Sequence, residues 1–185
     1  MIPPLKTRDE IPALLDSLGL TRVGAEIGVE CGVFSNAILR GCVVERLYSI
    51  DPWGGMWKWE DDRATEEDYC TAVELLSQHG GRSQILKMTS QEAVRLFVPG
   101  QLDFFYLDSS HRYEETGAEI RTWWEILRSG GLAMGHDYNY TKGDPHAVTR
   151  AVDEFVAEMG LTLAITELDW MNDDIDVHSW LIEKP

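Results

Sequence analysis

Short apolar runs alternate with amphipathic stretches along most of the chain, and the hydrophobic period switches repeatedly between two and 3.6 residues. Residues 22–27, 46–51, 84–87, 102–108 and 132–134 read as strands. The fourth, Leu102-Asp103-Phe104-Phe105-Tyr106-Leu107-Asp108, is apolar enough to predict a central strand buried on both faces. Asp9 is placed to cap a first helix, with Pro12 in its opening turn, Leu14, Leu15 and Leu18 on its apolar side and Gly19 at its end. Residues 33–39 follow the first strand as a crossover helix. Thr65-Glu66-Glu67-Asp68 and Thr89-Ser90-Gln91-Glu92 each have the form of a capping box. The first opens a helix carrying Tyr69, Ala72, Val73 and Leu76 on one side and stopped by Gly80-Gly81; the second opens a short helix that closes at Pro99-Gly100. A helix over residues 113–127 precedes Gly130-Gly131. Asp144-Pro145 starts the last helix, with Val148, Val152, Phe155 and Met159 on its inner face and Gly160 at its end. No crossover helix fits between residues 161–168 and 178–182, which therefore predict an antiparallel hairpin.

This alternation predicts one α/β domain over residues 1–185, with an N-terminal helix in 1–20 and a Rossmann-like core in 21–185. The core is a doubly wound, three-layer α/β/α arrangement whose sheet is mostly parallel, with a C-terminal antiparallel hairpin strand. At 185 residues the chain is long enough to bury such a core, and 44% hydrophobic content fits a packed interior.

Charge narrows the partners. Thirty-two acidic against 16 basic residues give a net charge of −16, which repels phosphate backbones and anionic lipid surfaces. Neither nucleic acid nor a membrane is expected as partner, and no apolar run approaches the ~20 residues of a membrane span. The opening residues lack the pattern of a secretory signal, and Cys31, Cys42 and Cys70 show no C-x-x-C spacing. They read as reduced thiols, which predicts a cytoplasmic protein. A small molecule is the expected partner.

The chemistry gathers at predicted strand ends. Glu26-Ile27-Gly28-Val29-Glu30-Cys31-Gly32 stands where the first strand turns into its helix, the nucleotide-binding turn of doubly wound sheets. Gly28 and Gly32 remove side chains where backbone must approach a ligand. Asp51, about twenty residues on, occupies the usual place of a carboxylate that takes both ribose hydroxyls. Glu30 then discriminates between ligands. A dinucleotide rests its diphosphate on the helix N-terminus, and a carboxylate there repels it, whereas a positively charged sulfonium is tolerated. The residues alone leave open an NAD-dependent oxidoreductase and a cofactor-binding protein without catalysis.

Ala25-Glu26-Ile27-Gly28-Val29 through Gly32-Val33-Phe34-Ser35, followed by Tyr48-Ser49-Ile50-Asp51-Pro52-Trp53, resembles the first two motifs of class I S-adenosylmethionine methyltransferases. Leu107-Asp108-Ser109-Ser110-His111-Arg112-Tyr113 and Gly130-Gly131 to Gly135-His136-Asp137-Tyr138 are similar to the small group related to metal-dependent sugar and catechol O-methyltransferases. The resemblance spans roughly residues 23–155. It implies S-adenosylmethionine as cofactor, with Glu26 near the methionine amino group, Asp51 at the ribose and Ser90 near the adenine. It also implies O-methylation of a small hydroxylated acceptor.

Asp108 and Asp137 end adjacent parallel strands, so both carboxylates should face the same sheet edge beside the cofactor, where they could hold Mg²⁺ or another divalent cation. His111 matches a basic side chain that serves as general base in the catechol-type relatives, a role that suits imidazole. His136 departs from the carboxylate or amide of those relatives. It is therefore a softer metal ligand (Mn²⁺, Fe²⁺ or Zn²⁺), or points elsewhere, or marks a site without metal. The plainer alternative has Asp108 capping the next helix, His111 bonded within its first turn and His136 structural. The run from Asp51-Pro52-Trp53 to Trp59 reads either as a lid that stacks on the cofactor or as a loop packed on the domain or on a second subunit, the last making a homodimer. Trp123 and Trp124 are assigned to the core, and the acidic run 169–176 to a solvated loop.

Overall fold

A computed structural model describes residues 2–54, 65–140, 144–168, 170–172 and 175–185, of which residues 170–172, 175 and 176 are described by backbone alone. Its strands are β1 (Val23–Ile27), β2 (Arg46–Asp51), β3 (Ser83–Lys87), β4 (Leu102–Leu107), β5 (Leu127–Tyr138), β6 (Leu163–Ile165), β7 (Trp170–Asn172) and β8 (Ile175–Glu183). Among the described residues the α-helices are α1 (Ile11–Ser17), α2 (Val33–Gly41), α3 (Glu66–Ser77), α4 (Ser90–Ala93), α5 (Tyr113–Ile126) and α6 (Ala147–Met159). The strand order is β3-β2-β1-β4-β5-β8-β6, with β7 paired to β8. β1 to β5 run parallel, and β8 inserts antiparallel between β5 and β6. The expected doubly wound sheet with an antiparallel C-terminal hairpin is therefore present. From β1 the chain winds outward to β3 and then crosses back to β4, so a crevice opens at the carboxyl ends of β1 and β4.

Period-two alternation distributes the core to both faces. Phe104 and Tyr106 of β4 join Leu15, Phe34, Ile38, Leu39 and Leu47 on the side of α1 and α2. Phe105 and Leu107 join Ile120, Trp123, Trp124, Val152 and Phe155 on the side of α5 and α6. Every residue of β4 is buried. Both tryptophans of α5 are core residues, as expected.

Several boundaries differ from the sequence reading. Asp9 does not cap α1; the Thr7 side chain accepts the Asp9 N–H at 3.3 Å and caps a 3-10 turn at Arg8–Glu10 that leads into the helix. Leu18, the C-cap of α1, and Met159, the last residue of α6, are each 47% exposed rather than on the apolar faces expected. α3 stops at Ser77 and α6 begins at Ala147 rather than at Pro145; Asp144 instead accepts from the Arg150 guanidinium at 2.8 Å. Both capping boxes are present, at Thr65–Asp68 and Thr89–Glu92. The acidic run was expected to be loop, yet β7 and the start of β8 fall within it. The N-terminal segment crosses to this end of the sheet: the N–H groups of Glu167 and Leu168 donate to the carbonyls of Leu5 and Lys6 at 2.8 and 2.9 Å.

Candidate functional site

The first strand continues its ladder into the turn, with the Gly28 N–H donating to the Ile50 carbonyl and the Asp108 N–H to the Ile27 carbonyl. This draws the ends of β1, β2 and β4 together. A Cβ on Gly28 would stand 1.9 Å from the Asp108 carbonyl oxygen, and φ is +86° there. The close approach that requires glycine is thus that of the protein's own backbone. Gly32, at φ +79°, is the N-cap of α2, and a Cβ there would press at 3.3 Å on Ala72 and Leu76 of α3. Asp51 organises the turn between them. Its Oδ2 accepts the Val29 and Glu30 N–H groups at 2.9 and 3.2 Å, and its Oδ1 accepts the Trp53 N–H at 2.9 Å. Glu30 and Trp53 both hold positive φ, so these charged hydrogen bonds fix a loop that would otherwise relax.

Glu26 is buried, accepting a hydrogen bond from the Ser35 hydroxyl, which lies 2.6 Å from that of Ser49. Burial pushes its carboxyl up to about 8, with the charges of Asp108 and Asp51 adding to the rise and Ser35 and Arg8 opposing it. Between its ordinary 4.5 and about 8, the folded chain keeps a proton that the unfolded chain releases. This group therefore makes the fold less stable as pH rises through that window. Glu26→Gln, which keeps a hydrogen-bonding side chain but cannot ionise, is expected to remove this part of the decline. Urea unfolding at several pH values across the window reads it, and an unchanged slope refutes it.

A second cluster stands at the ends of β4 and β5. One donor atom from each of Asp108, His111 and Asp137 lies within 4.8 Å of the others. His111 Nε2 is 2.9 Å from Asp137 Oδ2, and His136 Nδ1 is 3.4 Å from Asp137 Oδ1 and 3.9 Å from Asp108 Oδ1. Asp137 sits at φ +61°, and the β5–β8 register shifts between Gly135 and Tyr138. That irregularity turns consecutive residues, His136 and Asp137, towards one cluster, which a regular strand would send to opposite faces. Burial alone would raise the Asp137 carboxyl, but its bonds to His111 and His136 hold it well below the usual carboxylate range. Burial and the neighbouring Asp137 charge push Asp108 up to about 6. Desolvation opposes charge on His136, and its Asp137 and Asp108 neighbours outweigh it, raising the imidazole above its ordinary value. Asp108 does not cap α5, whose N-cap Arg112 makes no side-chain capping bond. Two carboxylate oxygens and an imidazole nitrogen in this arrangement fit a divalent cation from Mg²⁺ to Zn²⁺.

The remaining expected residues flank these clusters. Trp53 is 2% exposed, packs on Tyr69 at 5.0 Å between ring centroids and donates its Nε1–H to the Glu30 carbonyl at 2.8 Å. It is an inward brace of the loop beside half-buried Pro52 rather than an open stacking surface. Residues 55–59 of the aromatic stretch lie outside the described residues. Ser90 opens α4, and its Oγ accepts the Trp123 Nε1–H at 2.9 Å. Ser35 and Ser49 lie within the two quoted motifs, but the sequence reading gave neither a role. It also missed Arg8, whose Nη1 lies 3.5 Å from Asp108 Oδ2 across 100 residues of chain.

Residues 25–138 match the family described as "Methyltransferase domain". A curated protein of Sinorhizobium fredii, described as uncharacterised, is 23% identical over 121 residues; the match covers 64% of this chain but spans only 13% of that protein's length. Solved structures share the fold. An O-methyltransferase from Bacillus cereus in complex with SAH superposes with TM-score 0.68 at 12% identity, covering 99% of this chain and 84% of that one. The precorrin-6y C5,15-methyltransferase of Geobacter metallireducens gives 0.67 at 15% identity over 98% and 91% of the two chains. An rRNA methylase from Streptococcus thermophilus gives 0.62 at 13% identity over 89% and 87%. Among these structures, one fold carries three differently named activities, so the acceptor has to be argued from the site.

Proposed function

This chain belongs to the methyltransferase-domain family, and from that premise we propose that it transfers the methyl group of S-adenosylmethionine to a hydroxyl oxygen of a small molecule. The observation that carries the reading is the meeting of two acidic clusters at the carboxyl ends of β1, β4 and β5: Glu26 with Asp108, and Asp108 with His111 and Asp137. Family membership sets the oxidoreductase alternative aside. Glu26 and Asp108 are the carboxylates for the methionine ammonium. Asp51 Oδ1, with one backbone bond, retains acceptor capacity for a ribose hydroxyl. Ser90, at the start of α4, borders the adenine. Gly28 and Gly32 shape the turn beneath, and Pro52 and Trp53 hold its rim.

Asp108 and Asp137 would hold the cation, with His136 at 3.9 and 3.4 Å from them, respectively, as a further candidate ligand. A divalent cation held there would lower the pKa of a bound hydroxyl. His111, oriented by Asp137, takes the hydroxyl proton as the oxygen attacks the methyl carbon and the carbon–sulfur bond breaks. The positive charge of the sulfonium is lost in that step, which leaves a neutral thioether. A net charge of −16 argues against an RNA or DNA acceptor. No helix among the described residues is long and apolar enough to cross a membrane. The burial of Ile11, Leu14 and Leu15 in the core supports reading the N-terminal helix as part of one domain.

Calorimetric titration with S-adenosylhomocysteine tests the cofactor. A panel of catechols and sugars, with and without Mg²⁺, tests the transfer; binding without turnover on any acceptor favours a cofactor-binding protein. His111→Ala is expected to lower turnover by about a hundredfold, within the usual worth of a general base, and to leave S-adenosylhomocysteine affinity intact. Full retained activity removes His111 as base, and a loss of cation affinity alongside turnover reassigns it as a metal ligand.

A further inference from the structure

The N-terminal turn brings a guanidinium to the sheet edge where Glu26, Asp108 and Asp137 gather. Arg8 belongs to the 3-10 turn Arg8–Glu10. That turn is pinned from both sides. Upstream, Leu5 is buried, and the Leu5 and Lys6 carbonyls accept the N–H groups of Glu167 and Leu168. Downstream, Ile11 is fully buried. Within the turn, the Lys6 N–H donates to Glu10 Oε2 at 2.8 Å. The guanidinium is thereby presented at the crevice, 3.5 Å from Asp108 Oδ2 and 5.2 Å from the centroid of the Phe34 ring in the opening turn of α2. Its side chain is 32% exposed, accessible enough to meet a ligand. The Arg8 charge also favours the ionised forms of Glu26 and Asp108.

We propose that Arg8 binds the α-carboxylate of the methionyl moiety, completing with Glu26 and Asp108 a site for an α-amino-acid zwitterion. The proposal rests on the S-adenosylmethionine reading above. An amino-acid end group carries an ammonium and a carboxylate on one carbon. Asp108, and Glu26 once it is ionised, suit the first and repel the second, and a chain of net charge −16 adds to that repulsion. A guanidinium 3.5 Å from Asp108 Oδ2 supplies the opposite sign in the same crevice. Its planar fork matches a carboxylate by two parallel N–H···O bonds, a geometry that a lysine cannot give.

The test is a thermodynamic cycle on the full chain. S-adenosylhomocysteine and its decarboxylated analogue, which keeps the ammonium and lacks the carboxylate, are titrated against the unaltered protein and Arg8→Ala. The expected result is a loss of about tenfold or more in S-adenosylhomocysteine affinity on substitution, as for a charge-assisted pair, with analogue affinity changed by less than about twofold. Arg8→Lys should fall between the two proteins for S-adenosylhomocysteine. Unchanged thermal melting of both variants shows that the turn is intact. Equal losses for both ligands overturn the proposal, since Arg8 would then act only by holding the crevice together, and so does no loss for either. Failure of the unaltered protein to bind S-adenosylhomocysteine at all overturns the cofactor reading itself, an outcome separate from the other two.

Discussion

Asp137→Ala is expected to reduce turnover by about a thousandfold or more, the scale seen when the acid that orients a catalytic histidine is removed, and to abolish any dependence on a divalent cation. Three things are lost together. His111 Nε2 loses the partner at 2.9 Å that fixes its orientation, and His136 Nδ1 loses one at 3.4 Å. The group of donors within 4.8 Å loses one of its two carboxylates. The backbone at φ +61° also passes from a residue that tolerates the left-handed region to one that resists it. Asp137→Asn separates these effects, because asparagine tolerates that conformation and keeps the shape. It should fold, losing only the stability that the ionised carboxylate supplies, and still lose most of the turnover. A cation requirement that persists in either variant refutes the ligand role. The same linkage sets an acid limit: with the Asp137 carboxyl held below its ordinary 3.8, its stabilising contribution is complete above that value and fades as pH falls through the lowered one.

Asp51→Ala is expected to cost about 3 kcal/mol of stability, given that hydrogen bonds to a charged group contribute roughly 1.5–3 kcal/mol each, and to weaken S-adenosylhomocysteine binding more than about tenfold. The structural cost arises because three backbone N–H groups, of Val29, Glu30 and Trp53, share this carboxylate. Without it, Glu30 and Trp53 have less to hold them at positive φ, and the turn beneath the cofactor loses its form. Urea unfolding measures the first effect and calorimetry on the folded variant the second. Lower stability with unchanged affinity would show that Asp51 only builds the loop and that the ribose assignment is wrong.

Local signals proved sound where they have a local cause. A capping box closes within four residues, so Thr65–Asp68 and Thr89–Glu92 could be read directly. The alternation through Phe104, Phe105, Tyr106 and Leu107 identified the central strand because burial on both faces leaves no room for polar side chains. Asp9 and Pro145 were plausible helix starts that lost to neighbours: Thr7 already caps the preceding turn, and the chain needs a left-handed residue at His146 before α6 can begin. Trp53 was legible as part of an aromatic loop that either covers the cofactor or packs on the domain, and the pocket built by Tyr69 and Ala72 on α3 decides that this residue packs inward.

By itself, then, the sequence determined the order and kind of the elements and the acids at their ends, because strand, turn and cap preferences act between residues a few positions apart. Only the tertiary structure decided which of those acids meet. The irregularity in β5 turns both His136 and Asp137 to Asp108, His111 reaches Asp137 across 26 positions, and Arg8 reaches Asp108 across 100. Charges that act through space are indifferent to separation along the chain, and no local pattern records where the backbone will return.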